Sequence, residues 1–248
     1  MHSRPLILRC GYDDYIMILV MPEIVVIIPA LDEEKAIGQV LAHIPNNLVS
    51  EVVVVDNNSS DATPEVARNS GATVVHESRK GYGFACLKGI EYVLSRPKKA
   101  DILVFLDADC SDNPEEMTSL IQPIIKQGYD MVIGSRFLGR RQKGAMHWHQ
   151  VLGNRLVVML ISALYGVRYT DLGPFRAIKL DKLLSLDMKE KTFGWTAEMQ
   201  AKAAKQKLRF FEVPVSYRAR IGRSKISGTV KGTIGAGYNM LAALLKNR

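Results

Sequence analysis

The chain has 248 residues, 47% hydrophobic and 23% charged, which suits a globular domain with a sizeable core and excludes a disordered chain. Its net charge of +8 comes from residues 201–248, which carry 11 Lys or Arg and one acid, so the other 200 residues have a net charge of −2. Three scattered cysteines without CxxC spacing disfavour a disulfide scaffold and a zinc site and predict a reduced, intracellular protein.

Residues 1–22 precede the first predicted strand, and we interpret them as a dispensable N-terminal extension. Their apolar run at 15–21 is too short for a membrane span and has no small-residue cleavage site. The longest charge-free runs, 156–167 and 232–245, also fall short of the ~20 residues that a spanning helix needs. The sequence therefore predicts no transmembrane helix.

Strands and helices alternate along the first half of the chain. Continuous apolar runs rich in Val and Ile predict strands buried on both faces, and 3.6-residue spacing predicts the helices between them. The predicted strands are 23–29, 51–55, 72–76, 101–106 and 130–134, and the predicted helices are 33–43, 63–70, 81–95 and 114–127. This alternation is typical of an α/β fold, a Rossmann-like, mostly parallel sheet with helices on both faces.

The pattern is looser after residue 135. The predicted elements there are a helix at 153–165, a loop at 170–178 that leads into a short strand, a helix at 195–205, a strand at 208–214, a basic loop at 218–228 and a helix at 229–246. Without a repeat or a low-complexity linker, one compact domain over 23–228 is favoured, followed by an amphipathic helix at 229–248.

Acidic side chains follow three of the predicted strands. They lie in the segments 29–34, 56–61 and 107–109. The carboxyl ends of parallel strands meet at one edge, where ligands of such folds bind. Three acidic turns would repel one another there without a cation or ligand donors. The alternatives are that the first group stabilises a helix dipole and that Asp56 forms an Asx turn.

Asp107-Ala108-Asp109 directly follows the apolar strand DILVFL. Carboxylates at i and i+2 of extended backbone point the same way, so both can reach one cation. Hard oxygen ligands suit Mg²⁺ or Mn²⁺, which neutralise phosphates. The alternative is that Asp109 or Asp112 caps the helix that follows.

The motifs VVIIPALDEE, VVVVDNNSSDAT, KGYGFACLKGI, VFLDADCSD and VIGSRF together resemble the family 2 glycosyltransferases of the GT-A fold. The similarity continues through TDLGPFRAI, GWTAEMQAKAA and EVPVSYRARIGRSKISG, and is strongest to the dolichol- and polyprenyl-phosphate sugar transferases. It covers about residues 24–232. The resemblance implies an inverting, metal-dependent transfer of a hexose from UDP-glucose or GDP-mannose, most readily to a polyprenyl or dolichyl phosphate.

The resemblance also implies roles for individual residues. Those expected around the nucleotide are Pro29, Ala30, Asp32, Glu34, Asp56, Lys80 and Gly81. Asp107 and Asp109 would hold Mg²⁺ or Mn²⁺. Arg220, Ser224 and Lys225, in the basic RxGxSK loop, would close over the diphosphate. This assigns part of the basic excess to the nucleotide sugar, and no nucleic acid is expected as a partner.

Residues after the fifth strand would face the acceptor. The resemblance places Arg136 there, while Asp171 is our first and Glu198 our second candidate for a catalytic base. A base is needed for a hydroxyl acceptor, whereas a lipid phosphate is already ionised near pH 7. Arg176 could grip an acceptor phosphate or brace the Asp171 loop. The chain reads DLGPFR where many relatives have a small-residue run before GFR, which makes the acceptor the weakest expectation.

Two other functions stay open at this point. A sugar nucleotidyltransferase uses a similar sheet, but its first strand is usually followed by a Gly-rich basic loop rather than ALDEE. A non-catalytic module that binds nucleotide sugars is disfavoured by the intact DAD and RxGxSK motifs. The helix at 229–248 carries apolar and basic residues, so it could either pack on the sheet or contact the cytoplasmic face of a membrane as a peripheral element.

Overall fold

The computed structural model describes residues 21–222. Its strands are β1 (Ile24–Ala30), β2 (Glu51–Asp56), β3 (Thr73–His76), β4 (Ile102–Phe105), β5 (Met131–Ser135), β6 (Arg176–Lys179) and β7 (Phe210–Pro214). Its helices are α1 (Ile37–Ala42), α2 (Thr63–Asn69), α3 (Tyr82–Ser95), α4 (Met117–Gln127), α5 (Trp148–Tyr165), α6 (Leu180–Ser185) and α7 (Trp195–Lys205). The predicted helix at 229–248, with Ser224, Lys225 and most of the N-terminal extension, lies outside the described residues.

The seven strands form one sheet in the order β3-β2-β1-β4-β6-β5-β7. Strand β6 runs antiparallel to both of its neighbours, and every other pairing is parallel. Hydrophobic side chains alternate between the two sheet faces, because successive residues of a strand point to opposite sides. The mostly parallel α/β sheet predicted from the sequence is confirmed.

A hydrophobic cluster covers each face of the sheet. Val25 and Ile27 of β1 point to the face covered by α3, α5 and α7. Their neighbours Val26 and Ile28 point to the face covered by α1, α2 and α4. The β-branched runs are therefore buried on both sides, as their lack of polar alternation predicted.

Some element bounds differ from the predicted ones for local reasons. Helix α1 begins only at Ile37, because the chain turns at Asp32, whose φ is 51°, and forms a turn over the next residues. Helix α5 begins five residues before the predicted start, because His147 and Gln150 form a capping box there. Helix α6 has no predicted counterpart. Within residues 21–222, no helix combines the length and the apolar character that crossing a membrane requires.

Candidate functional site

The acidic strand ends meet at one edge of the sheet. Strand β1 lies between β2 and β4 and is parallel to both, and Ala30 pairs with Asp56 in register. The segments 29–34, 56–61 and 107–109 therefore leave the sheet side by side, as the sequence predicted. They border a cleft of about 330 Å³. Seven predicted site residues line it: Pro29, Ala30, Lys80, Gly81, Asp107, Asp109 and Arg220.

Asp107 and Asp109 both lie at the wall of this cleft. The hydroxyl of Tyr82 donates a hydrogen bond to Oδ1 of Asp107 at 3.1 Å, and the backbone N–H of Ser111 donates one to Oδ1 of Asp109 at 2.9 Å. Burial, followed by the charge of Asp109, raises the pKa of Asp107 to about 7. Two carboxylates that line one cleft, one of which raises the proton affinity of the other, favour a bound cation.

The helix-capping alternative for the acids of this motif fails. No side chain caps either the single 3₁₀ turn at Pro114–Glu116 or α4. Asp112 is buried, and neither of its carboxylate oxygens has a hydrogen-bond partner among residues 21–222. Burial, with the charge of Asp107 next, raises the pKa of Asp112 well above its usual range.

Arg220 crosses the cleft from the C-terminal side. Its Nη2 donates to Oε1 of Glu33 at 2.5 Å, and its Nη1 lies 3.3 Å from Oδ2 of Asp109. The next residue, Ile221, donates its backbone N–H to the carbonyl of Asp109. A guanidinium in this position can hold a diphosphate against the two strand-end carboxylates.

Asp32, Glu34 and Asp56 do not line the cleft. Asp32 accepts hydrogen bonds from the N–H and hydroxyl of Ser60, and Glu34 accepts one from the N–H of Ala62. Asp56 accepts from the N–H of Ser59 and contacts Nδ1 of His76 at 3.0 Å. These acids fasten the turn after β1 to the turn after β2. Their proposed contacts with a nucleotide stay predictions.

Asn57 is a site residue that the sequence analysis missed. It lines the cleft, and its Oδ1 accepts the N–H of Gly81 at 2.8 Å. Its Nδ2 donates to the carbonyls of Glu77 and Arg79, so one side chain fixes the whole Lys80–Gly81 turn. Its place beside Asp56 after a buried strand was the available signal.

The opposite wall of the cleft comes from the segment 190–193. Thr192 and Phe193 line the cleft, and the N–H groups of Gly83 and Phe84 donate to carbonyls of this segment. A Cβ on Gly81 would lie 2.4 Å from the carbonyl oxygen of Lys191, and one on Gly83 would lie 2.2 Å from that of Glu190. The glycines of KGYG therefore permit this close backbone approach. Nothing in the local sequence of 190–193 indicated that it forms a wall.

Arg136 and Asp171 form a largely buried ion pair. Asp171 accepts from the backbone N–H, the Nε and the Nη2 of Arg136, at 2.7–2.8 Å. Although burial lowers it, the charge and hydrogen bonds of Asp171 raise the pKa of Arg136 above its usual value. Both oxygens of Asp171 are thus engaged, whereas no residue of the described range accepts a hydrogen bond from Nη1 of Arg136.

Glu198 and Arg176 lie behind the cleft rather than in it. Glu198 is buried on α7, accepts the N–H groups of Lys189 and Glu190, and pairs with Lys202 at 2.8 Å. Arg176 is fully buried, donates to the carbonyls of Gly173 and Thr196, and therefore braces the Asp171 loop. Burial lowers the pKa of Arg176 to about 10. In this geometry Glu198 fixes the segment that leads to the cleft wall, and its role as a base stays a prediction.

The donor set of the cleft fits a hard divalent cation. Within residues 21–222, no group of three or more His, Cys, Asp or Glu side chains could hold a metal alone. Mg²⁺ usually binds through one or two carboxylates and takes its other ligands from phosphates and water. Asp107 and Asp109 match this pattern, provided that a diphosphate supplies oxygens beside Arg220.

Comparison with known proteins identifies the family. The sequence model of the family described as Glycosyl transferase family 2 matches residues 25–184. The chain is similar to an uncharacterized glycosyltransferase of Mycobacterium bovis, at 35% identity over 85% of this chain and 93% of that protein. It is also similar to the dolichyl-phosphate hexose transferase of Haloferax volcanii, at 32% identity over 91% of this chain and 96% of that protein.

A solved structure shares the fold. Glucosyl-3-phosphoglycerate synthase from Mycobacterium tuberculosis, in complex with Mn²⁺, UDP and glucosyl-3-phosphoglycerate, superposes with a TM-score of 0.71. The match covers 91% of this chain and 80% of that chain at 24% identity. The GT-A architecture expected from the sequence is confirmed.

Proposed function

The chain belongs to glycosyl transferase family 2, and from this premise we propose that it transfers a hexose from a nucleotide diphosphate sugar to a polyprenyl or dolichyl phosphate with inversion. The observation that carries the proposal is the cleft in which Asp107 and Asp109 face Arg220. Two strand-end carboxylates and one guanidinium are what a cation-bound diphosphate requires.

The donor would lie along the carboxyl edge of β1, β2 and β4. Its nucleoside would contact Pro29, Ala30 and the turn at Lys80 and Gly81, while its diphosphate would lie between Asp107, Asp109 and Arg220. UDP-glucose and GDP-mannose are both candidate donors. The synthase with the same fold was crystallised with UDP and Mn²⁺, which supports a uridine nucleotide as the first to test.

Mg²⁺ or Mn²⁺ bound by Asp107 and Asp109 would neutralise the charge that develops on the leaving diphosphate. Tyr82 holds Asp107 in place through its hydrogen bond. Arg220 adds a second positive charge on the same side of the cleft. These groups are fixed before the reaction, so they stabilise the transition state without reorganisation.

The acceptor side favours an anion over a hydroxyl group. Asp171, the first candidate base, has both oxygens engaged by Arg136, and Glu198 is engaged by backbone N–H groups and Lys202. A phosphate acceptor is already ionised near pH 7 and needs no base. The ion pair with Asp171 fixes the orientation of the Arg136 guanidinium through Nε and Nη2. Its Nη1 would then bind one oxygen of that phosphate.

The reaction is a single displacement. An oxygen of the acceptor phosphate attacks the anomeric carbon of the hexose, the bond from that carbon to the diphosphate breaks, and the nucleoside diphosphate leaves with the bonding electrons. The relative from Haloferax volcanii is a dolichyl-phosphate hexose transferase, which supports the acceptor class. Such an acceptor places the enzyme peripherally on the cytoplasmic face of a membrane.

A turnover assay with radiolabelled donors tests the proposal. UDP-glucose and GDP-mannose are each offered with Mn²⁺ and either a short-chain polyprenyl phosphate, the matching polyprenol, or phosphoglyceric acid. We expect transfer to the polyprenyl phosphate and none to the polyprenol. Preferred transfer to phosphoglyceric acid or the alcohol would replace the lipid-phosphate acceptor with a hydroxyl acceptor. Formation of UTP or GTP together with hexose 1-phosphate, when pyrophosphate replaces the acceptor, would instead identify a nucleotidyltransferase.

A further inference from the structure

One face of α5 carries large apolar side chains into solvent. Trp148 is 75% exposed, Leu152 60%, Leu156 44% and Met159 59%. At 3.6 residues per turn these four side chains occupy an arc of about 80°. We call them the outer face of α5.

The opposite side of the same helix is buried. Val157, Val158 and Ile161 pack into the core, and Asn154 lies between them. The helix therefore has two apolar sides, of which only one is covered within the described residues. Large apolar side chains grouped on a surface indicate a contact site, whereas scattered ones do not.

The surroundings of the outer face are strongly basic. Residues 131–170 contain six Lys or Arg and no Asp or Glu, a net charge of +6. Arg141 of the preceding loop and Arg155 of α5 both lie over the ring of Phe137, at 4.4 and 6.0 Å. This contact keeps two of the positive charges next to the apolar stripe.

Both ends of this basic segment return to the acceptor side of the cleft. The hydroxyls of Ser135 and Thr170, which lie near its two ends, are 2.6 Å apart. Asn154, on the buried side of α5, accepts the N–H of Leu172 at 2.9 Å. A partner that binds the outer face of α5 would thus contact the same helix whose buried side holds the segment after Asp171.

We propose that the outer face of α5 and its basic loop dock on an anionic lipid bilayer, a partner that rests on the proposed lipid-phosphate acceptor. A tryptophan ring suits the boundary between headgroups and acyl chains, and leucine and methionine suit the apolar side of it. Positive charges beside the stripe are attracted to anionic headgroups. A second copy of this chain is a poorer partner, because it would bring two segments of net charge +6 together.

The fluorescence of the full-length protein provides a direct test. The chain has two tryptophans, and Trp195 is buried in the core while Trp148 is exposed. Equimolar phosphatidylcholine–phosphatidylglycerol vesicles should shift the emission of Trp148 to the blue, and brominated lipids should quench it. Trp148→Phe should remove both changes. Binding to pure phosphatidylcholine vesicles should be weaker, and salt should weaken binding to the anionic ones.

Matched double variants separate this face from general hydrophobicity. Leu152→Gln with Met159→Gln should weaken vesicle binding about tenfold or more, because two apolar side chains no longer enter the bilayer. The control is Leu94→Gln with Ile125→Gln, which changes side chains that are 53% and 47% exposed on α3 and α4. The control should bind like the unaltered chain. Circular dichroism verifies that both variants fold.

The outcomes distinguish this proposal from the proposed function. Unchanged Trp148 emission with vesicles, or equal binding by the two double variants, would overturn docking through α5. Either result would locate any membrane binding elsewhere, for example in residues 229–248. Transfer to a water-soluble short-chain polyprenyl phosphate should persist in Leu152→Gln with Met159→Gln, because that acceptor needs no bilayer. Loss of transfer to every lipid phosphate, with vesicle docking intact, would overturn the function alone.

Discussion

The proposed donor cleft and the proposed acceptor side differ in how many partners their carboxylates have. Asp107 and Asp109 line the same cleft, with one hydroxyl, one backbone N–H and one end of Arg220 as partners. Asp171 is buried more deeply, yet Arg136 gives it three hydrogen bonds. The first arrangement leaves carboxylate charge that a ligand can offset, whereas Arg136 already offsets the charge of the second. The number of partners of each carboxylate, rather than its burial, therefore separates the two proposed parts of the site.

The largest expected effect comes from removing one charge of the donor cleft. Asp109→Asn should lower kcat about 10³-fold, since the developing charge on the diphosphate loses a cation worth several kcal/mol. Steady-state rates over a Mn²⁺ titration measure this. Asp187→Asn, which removes an exposed acid paired with Lys189, should leave the rate unchanged. If the unaltered enzyme kept its full rate in chelator, the cation would have no role in the reaction.

On the acceptor side, Asp171→Asn should mainly destabilise the fold. It leaves the charge of Arg136 buried without its partner, which lowers the free energy of unfolding by about 3–5 kcal/mol. Urea unfolding measures this loss, and adding Arg136→Met should recover part of it. Asp130→Asn, which breaks the more exposed pair with Lys179, should cost about 1 kcal/mol or less. Equal losses of unfolding free energy in Asp171→Asn and Asp130→Asn would show that the Arg136 pair contributes no more to stability than the Lys179 pair.

The glycine in the cleft wall should tolerate no side chain. Gly83→Ala puts a methyl group 2.2 Å from the carbonyl oxygen of Glu190, so the 190–193 wall must shift. We expect a loss of about 1–3 kcal/mol in stability and a raised KM for the donor. Gly153→Ala in α5 meets nothing within 4 Å and should gain about 0.5–1 kcal/mol. Thermal melts and donor KM values compare the two helical glycines.

The pH dependence should reflect Asp107. Its pKa of about 7 means that a proton competes with the cation below that pH. Mn²⁺ affinity should fall about tenfold for each pH unit below 7 and level off above it. Isothermal titration calorimetry at several pH values measures this. An affinity independent of pH between 5 and 7 in roughly equal ionic strength would contradict the raised pKa.

The same pKa has a consequence for the metal-free protein. Because the folded state holds the proton up to about pH 7 and the unfolded chain releases it near its ordinary value of 3.8, stability falls as the pH rises between these values. Asp107→Asn removes this contribution. The variant should therefore gain stability relative to the unaltered chain as the pH rises to 7, and thermal melts across that range show whether it does.

The smallest effect concerns the hydroxyl of Tyr82. Tyr82→Phe removes the hydrogen bond to Asp107 and should weaken Mn²⁺ binding roughly fivefold, the equivalent of a net hydrogen bond of about 1 kcal/mol. Tyr92→Phe is the matched control, because Tyr92 donates to Glu51 at 2.8 Å outside the cleft. It should leave the metal affinity unchanged. If Tyr92→Phe weakened Mn²⁺ binding as much as Tyr82→Phe or more, the effect of both hydroxyls would be on folding rather than on the metal site.

The amino-acid sequence by itself determined the frame of this protein. Apolar runs such as IVVIIP are typical of strands buried on both faces of a parallel sheet covered by helices, so strand positions and the acidic edge were predictable from local patterns. The positions of Asp107, Asp109, Lys80 and Gly81 at the cleft were predictable because these residues lie in contiguous motifs. Those motifs also predicted the family.

Tertiary structure decided which of the acidic side chains remain available. Asp32, Glu34 and Asp56 belong to the same motifs as the cleft residues, but their oxygens bind the neighbouring turn. Asp171 and Glu198 are engaged by partners 35 residues and 9 residues away in the chain. The wall at 190–193 and the outer face of α5, which nothing covers in the described part of the chain, likewise depend on contacts between distant segments. Local pattern fixes which residues are polar or apolar, whereas their partners depend on contacts between distant segments, which only the folded chain brings together.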